Sequence, residues 1–170
     1  MEKIKRLKIG EWEIYRSLRL ESLCDSPDAF SSKYEDALAR SDESWITQAN
    51  STAAGADRAT FICINEKPCG LGALYRDDND PEVGELIQMW VSETHRGSAA
   101  ASALLNEIFS WAASNGFLRV KAEVMKHNVR AIRFYRKLGF APSEDMTSHS
   151  DSSVMLTKEL VGADDTKEGS

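Results

Sequence analysis

A chain of 170 residues with 42% hydrophobic content is long enough to bury the core of one domain and too short to expect two. Its formal net charge of −6 lacks the basic excess behind nucleic-acid affinity or adhesion to an anionic membrane, so small molecules or peptides are the expected partners. Cys24, Cys63 and Cys69 are odd in number and form no CxxC pair, and His95, His127 and His149 are scattered, so neither a metal site nor a disulfide framework is expected.

The opening "MEKIKRLKIGEWE" carries charges every few residues and has no apolar run of signal-peptide length, and no later stretch approaches a membrane span; a cytoplasmic location is expected. "IKRLKI" alternates as a first strand, and "EWEIYRSLRLESLCDS" places Trp12, Tyr15, Leu18 and Leu23 on one face of a helix. After a turn at Pro27, "SDESWITQA" supplies a Ser/Asp cap for a second short helix, and "NSTAAGADR" reads as a loop. "ATFICINEKPCGLGALYRD" predicts two strands around a tight turn at Asn65–Pro68. Cys63 and Cys69 flank that turn and can face each other across it, with buried free thiols the expected state. Beyond the acidic loop "RDDNDPE", "VGELIQMWVS" is a strand. It leads into "ETHRGSAAASALLNEIFSWAASNGF", where Ala101, Leu104, Leu105, Ile108, Trp111 and Ala112 mark one face of a long helix ended by Gly116. "FLRVKAEVM" is a strand, "NVRAIRFYRKLGF" a helix, and "FAPSEDM" and "SSVMLTKEL" are closing strands. The order is βααβββαβαββ, an α/β (α+β) domain over residues 1–160 with a flexible tail over 161–170.

Two places in this order carry chemistry. At "HRGSAAAS" a strand feeds directly into a helix, which leaves unpaired N–H groups and a positive dipole end, an anion site in outline; an ordinary Ala-rich first turn is the other reading, since only Gly97 is glycine. In the later helix, Ala131, Phe134, Tyr135 and Leu138 fall at i, i+3, i+4 and i+7, so a phenol stands on the apolar stripe. Packing alone does not call for that hydroxyl, because Phe134 beside it is already a plain ring.

On these residues the chain resembles the GNAT superfamily of N-acetyltransferases, from about residue 3 to 160. "NVRAIRFYRKLGF" is similar to the family's N-x-x-A-x-x-F-Y-x-x-x-G-F segment at Asn128, Ala131, Phe134, Tyr135, Gly139 and Phe140, and "HRGSAAAS" resembles R/Q-x-x-G-x-G/A at Arg96 and Ala101, with Ala99 in place of the first glycine. The resemblance implies a mixed, mostly antiparallel sheet of six to seven strands with helices on both faces and a split between strands four and five. It also implies transfer of an acetyl group from acetyl-CoA, without metal, to a primary amine of a small molecule or peptide by direct attack in a ternary complex. The alternative is a catalytically weak CoA-binding regulatory protein of the same fold. No nucleic-acid or membrane partner is expected, and a homodimer is common in the family.

The same resemblance assigns roles. Arg96, Gly97, Ser98, Ala99, Ala100, Ala101 and Ser102 take the pyrophosphate, Trp90 and Val91 contribute backbone atoms, and Asn128, Ala131, Phe134 and Tyr135 complete the cofactor contacts. A non-glycine residue driven to positive φ costs about 1–2 kcal/mol, so at Ala99 either the loop stays right-handed or cofactor binding is weakened, and weakened binding is the expectation. Tyr135 is the acid for the departing thiolate. An amine of pKa about 10 also needs something to accept its proton. Glu123, in "KAEVMKHN", resembles the glutamate base of the ribosomal-protein alanine acetyltransferases, and Glu85 is its rival. Phe30, Tyr34, Trp45 and the acidic loop Asp77 to Glu82 are expected to shape the acceptor's site, the loop's charge suiting a cationic amine.

Overall fold

The computed structural model describes residues 2–27, 33–97 and 99–160. Ser98, Phe30 and the tail 161–170 lie outside them. The elements run β1 (Lys3–Arg6), α1 (Trp12–Asp25), α2 (Tyr34–Leu38), α3 (Asp42–Ser51), β2 (Arg58–Asn65), β3 (Lys67–Arg76), β4 (Val83–Val91), α4 (Ala100–Ser114), β5 (Arg119–Met125), α5 (Val129–Lys137), β6 (Ala141–Pro142) and β7 (Ser153–Glu159). The strands pair in the order β1-β2-β3-β4-β5-β7-β6. The β4–β5 pair is parallel, whereas β1–β2, β2–β3, β5–β7 and β6–β7 are antiparallel. This is the mixed, mostly antiparallel sheet expected from the sequence.

The structure adds one helix to the expected order. Five-residue α2 falls between the expected turn at Pro27 and the helix of "SDESWITQA", in a stretch given no element, and it is too short to show a helical period; only Ala37 of it is buried. "FAPSEDM" shrinks to the two residues of β6, because Pro142 brings no N–H to a ladder.

The described residues divide into two compact units, the first falling within 1–75 and 87–108 and the second within 76–86 and 109–160. In the first, α1 buries Tyr15, Leu18, Ser22, Leu23 and Arg19, a face at helical spacing. Ser41 caps α3 by accepting the Ser44 N–H at 3.1 Å, the expected Ser/Asp start. These helices pack with Leu7, Ile62, Leu71 and Trp90 on one side of the strands, and Cys63, Cys69, Val91 and Ala100 form a cluster on the other. The β2–β3 turn is tighter than a two-residue loop: Asn65 pairs with Lys67, leaving Glu66 alone at φ 68°. Cys63 and Cys69 are buried free thiols with sulfurs 3.6 Å apart.

In the second unit β5 alternates strictly, with Val120, Ala122 and Val124 buried and Arg119, Lys121, Glu123 and Met125 half-buried. Its full length pairs with β7, but its register with β4 covers only Val83–Glu85 against Arg119–Lys121. Asn128 caps α5 by accepting the Ala131 N–H at 3.1 Å, and Gly139 at φ 97° follows the helix's end.

Candidate active site

Within the first unit, the end of β4 and the start of α4 are joined by a short, well-anchored link. The Trp90 indole N–H donates to Asp25 Oδ2 at 2.9 Å, the Arg96 guanidinium pairs with the same oxygen, and Arg96 Nε–H donates to the Val91 carbonyl at 3.0 Å. The indole N–H, and after it the guanidinium, hold the Asp25 carboxyl below its usual range against the opposing effect of burial. Arg96 therefore fastens the link from inside, and Trp90, expected to contribute backbone atoms, also anchors the link through its side chain.

Strand geometry sets what Val91 offers. The Ser92 N–H bonds to the Cys69 carbonyl of β3 at 2.8 Å, and successive N–H groups of a strand point to opposite edges, so the Val91 N–H points away from β3. The close approach of β3 to this point depends on Gly70: a Cβ there would stand 3.0 Å from the Trp90 carbonyl oxygen and 3.2 Å from a Val91 methyl. Three residues earlier the strand is irregular. Gln88 sits at φ 60°, a left-handed conformation that costs a non-glycine residue about 1–2 kcal/mol, and its Oε1 accepts the Tyr15 O–H at 2.9 Å.

Gly97 turns the chain at φ 82°, and a Cβ built on it would have nothing within 4 Å. A short 3-10 turn, Glu93–His95, precedes it. Ala103 N–H bonds to the Ala99 carbonyl at 2.9 Å, so α4 begins immediately after Ala99. The N–H groups of its first turn, those of Ala101 and Ser102 among them, precede any helical carbonyl they can reach.

The second unit holds the remaining sequence-predicted residues. Tyr135 is only 8% exposed, with Phe140 edge-on at 5.2 Å and Phe134 tilted at 5.5 Å. Its hydroxyl has no hydrogen-bond partner among the described residues, and burial pushes the phenol's pKa far above its usual 10. Ala131 lies one turn earlier on α5 and is half-buried, as is Phe134.

Glu123 and Glu85 have different surroundings. Glu123 is ringed by donors: Ser153 Oγ–H and the His149 N–H reach Oε2 at 2.5 and 3.0 Å, and His149 Nδ1 lies 2.5 Å from Oε1. Burial alone would raise this carboxyl's pKa, but the hydrogen bonds from Ser153 and His149 outweigh it and hold the group below its usual range. The carboxylate in turn raises the His149 imidazole above its ordinary 6.5. Among the described residues Glu85 has only a 3.7 Å approach from Lys121, whose ammonium bonds to Asp77 at 2.7 Å. Asp77, the first acid of the 77–82 loop, thus faces a lysine and also accepts the N–H groups of Asn79 and Asp80.

Asp25, Gln88, His149 and Ser153 are the residues that sequence reasoning missed. Asp25 looks like a turn acid in "LCDSPD", Gln88 like an ordinary strand position, and "SHSDSS" has no period linking it to Glu123.

Residues 15–140 match the model of the acetyltransferase (GNAT) family. An uncharacterized N-acetyltransferase of Mycobacterium bovis is 35% identical over 96 residues, 54% of this chain and 60% of that protein. One from Bacillus subtilis is 39% identical over 59 residues, 35% of this chain and 24% of its own. The chain therefore spans less than two thirds of the length of these curated relatives. Among solved structures, a GNAT-family acetyltransferase from Streptococcus pneumoniae aligns with a TM-score of 0.80 at 18% identity, over 95% of this chain and 100% of that one. An N-acetyltransferase from Thermoplasma acidophilum, in complex with coenzyme A, gives 0.74 at 19% identity, over 94% and 99%. The fold agrees with these structures, and the match over residues 15–140 establishes that the chain belongs to the GNAT family of acetyltransferases.

Proposed function

We propose that this protein transfers an acetyl group from acetyl-CoA to a primary amine by direct attack, without a covalent enzyme intermediate. The observation that carries the reading is Tyr135, a phenol buried on a capped helix with no structural partner for its hydroxyl among the described residues. A phenol whose pKa is raised stays protonated across the physiological range and keeps an O–H to offer a leaving thiolate. The coenzyme A complex of the Thermoplasma relative lends support from a protein of the same fold.

The chain's own groups suit the other requirements. First-turn N–H groups of α4, including Ala101 and Ser102, fit a pyrophosphate, and Gly97 gives a turn with open space around it. Arg96 keeps that turn in place through Asp25 and the Val91 carbonyl, and the outward Val91 N–H is the donor we assign to the thioester oxygen. Assistance to proton removal from the amine is assigned to Glu123 ahead of Glu85. Because the Glu123 carboxyl is held ionised, it serves by orienting His149 or a water for proton uptake rather than by holding a proton itself. Asn128 and Ala131 are assigned to the pantetheine side of the cofactor.

Calorimetric titration with acetyl-CoA, followed by a panel of amines and short peptides read by release of free thiol, tests the proposal. Binding together with amine-dependent thiol release is the expected result. Binding without release from any acceptor would favour a CoA-binding regulatory protein, and absence of binding would overturn the reading.

A further inference from the structure

Strand β4 changes phase along its length. Just before it, the Glu82 carbonyl accepts the Leu118 and Arg119 N–H groups at 2.7 and 3.1 Å, on the β5 side. At its first residue the Val83 carbonyl accepts the N–H of Asp77, the residue after β3, at 2.9 Å. The N–H and C=O of one strand residue share an edge and neighbouring residues alternate, so an unbroken strand would turn every odd-numbered residue from Val83 onward, Val91 included, toward β3. At the other end the phase is reversed: Ser92, an even-numbered residue, donates to the Cys69 carbonyl of β3 at 2.8 Å. The strand is therefore one residue out of step between these points, as a bulge makes it. Gln88, at φ 60°, is the one residue of β4 with a left-handed backbone, and the burial alternation fails at the same place, with Ile87, Gln88 and Met89 all half-buried. Without that irregularity the Val91 N–H would face β3.

What holds Gln88 there comes from α1. Glycine takes a left-handed backbone freely, whereas a glutamine has to be held in it. Gln88 Oε1 accepts the Tyr15 O–H at 2.9 Å, and Tyr15 is a fixed donor: its ring is 1% exposed and stands edge-on to Trp45, with centroids 5.8 Å apart. Burial pushes the phenol's pKa up to about 12, so the hydroxyl keeps its proton at neutral pH. Phenylalanine would fill the same space, so what the hydroxyl adds is this hydrogen bond.

We propose that Tyr15 is a positioning residue: its hydroxyl holds Gln88 in the left-handed backbone, and the resulting shift in β4 turns the Val91 N–H to the edge away from β3. The inference rests on the assignment of that N–H to the thioester oxygen and adds the residue that aims it. Tyr15 acts only through Gln88 and the three residues of backbone that lead from it to Val91.

The test is a double-mutant cycle of Tyr15→Phe and Gln88→Gly, because glycine adopts the left-handed backbone without a clamp. An oxyanion donor removed outright costs about 10² to 10³ in kcat, and a donor that loses its aim should cost part of that, about tenfold. Tyr15→Phe alone should therefore lower kcat about tenfold while the Kd of acetyl-CoA stays within about twofold, since the thioester oxygen gains its charge in the transition state. Added to Gln88→Gly, the same substitution should lower kcat less than about twofold, whatever Gln88→Gly does by itself. Full turnover in Tyr15→Phe, or an equal loss in both backgrounds, would overturn the positioning role, as would a loss confined to acetyl-CoA affinity. A second readout needs no turnover. In isotope-labelled protein the backbone carbon and amide resonances of Gln88 to Val91 should move on Tyr15→Phe in the parent, and much less on Tyr15→Phe in the Gln88→Gly background. Should no amine release thiol from the parent protein, the acetyltransferase reading falls and these resonances decide alone: Gln88 to Val91 unmoved by Tyr15→Phe would overturn the clamp as well.

Discussion

Replacing Tyr135 by Phe removes one hydroxyl and nothing else, and the structure sets the size of two separate effects. On the stability side, the hydroxyl makes no hydrogen bond among the described residues, so none is lost, and the ring keeps its contacts with Phe134 and Phe140. The change in stability should stay within about 1 kcal/mol of zero, or about 2–4 °C in Tm for a chain of this size. On the catalytic side, help to a leaving group is typically worth about 10² to 10⁴ in rate. The raised pKa tempers this, because full proton transfer from such a phenol to a thiolate of conjugate pKa about 8.5 is uphill, so stabilisation by hydrogen bonding is the larger part. The variant should therefore bind acetyl-CoA almost normally while kcat falls at least about tenfold, a loss of about 1.4 kcal/mol in the barrier. Since the phenol remains protonated below pH 10, the pH profile should keep its shape and lose only height. Scanning calorimetry, acetyl-CoA titration and steady-state thiol release measure the three quantities. Full turnover would refute the acid role, and a Tm loss beyond about 8 °C would show that the hydroxyl has a structural partner after all.

Asp25→Asn removes the carboxylate shared by Trp90 and Arg96, and should weaken acetyl-CoA binding about three- to tenfold with little change in Tm, since both ion-pair partners are about a third exposed. The Asp25 pKa is depressed by folding, so its contribution to stability is present above the unfolded value of about 3.9 and disappears as pH falls through the lower folded value; the variant and parent should converge in Tm once the pH is below that folded value. Ala99 is not left-handed in the structure, against the strain expected of it, so Ala99→Gly should leave the Kd for acetyl-CoA within about twofold, and a several-fold tighter Kd would show that its methyl limits backbone approach. Glu66→Gly, at an exposed turn with φ 68°, should raise Tm by about 2–4 °C, and a lower Tm would mean that the turn is held by the glutamate side chain. Glu123→Gln should lower kcat/KM at least about tenfold and Glu85→Gln no more than about twofold; equal losses would leave the two acids as rivals for the base.

Most of the fold was legible because its elements obey one period each. The alternation in β5 and the spacing of Tyr15, Leu18 and Leu23 in α1 are strong signals, and they correspond to residues buried at those positions. Helix α2 was not legible for the complementary reason: five residues hold little more than one turn, and Tyr34–Leu38 needs tertiary contacts to exist at all. The left-handed backbone at Gln88 was hidden for a different reason. Glycine or asparagine advertises such a conformation, but here a glutamine adopts it, stabilised by a hydroxyl from Tyr15, 73 positions away in sequence.

A parallel split runs through the candidate site. Asn128, Ala131 and Tyr135 share one short helix, so their spacing carries the cap and the buried phenol together, and both occur where the motif puts them. Groups joined across long stretches of chain carry no spacing, and those are the ones that fix charge: Asp25 with Trp90 and Arg96, Glu123 with His149 and Ser153. The acidic 77–82 loop illustrates the consequence. Read as sequence it attracts a cation, yet Asp77 is occupied by Lys121, 44 positions along the chain, so the charge that loop offers is set by a pairing that has no period in the sequence.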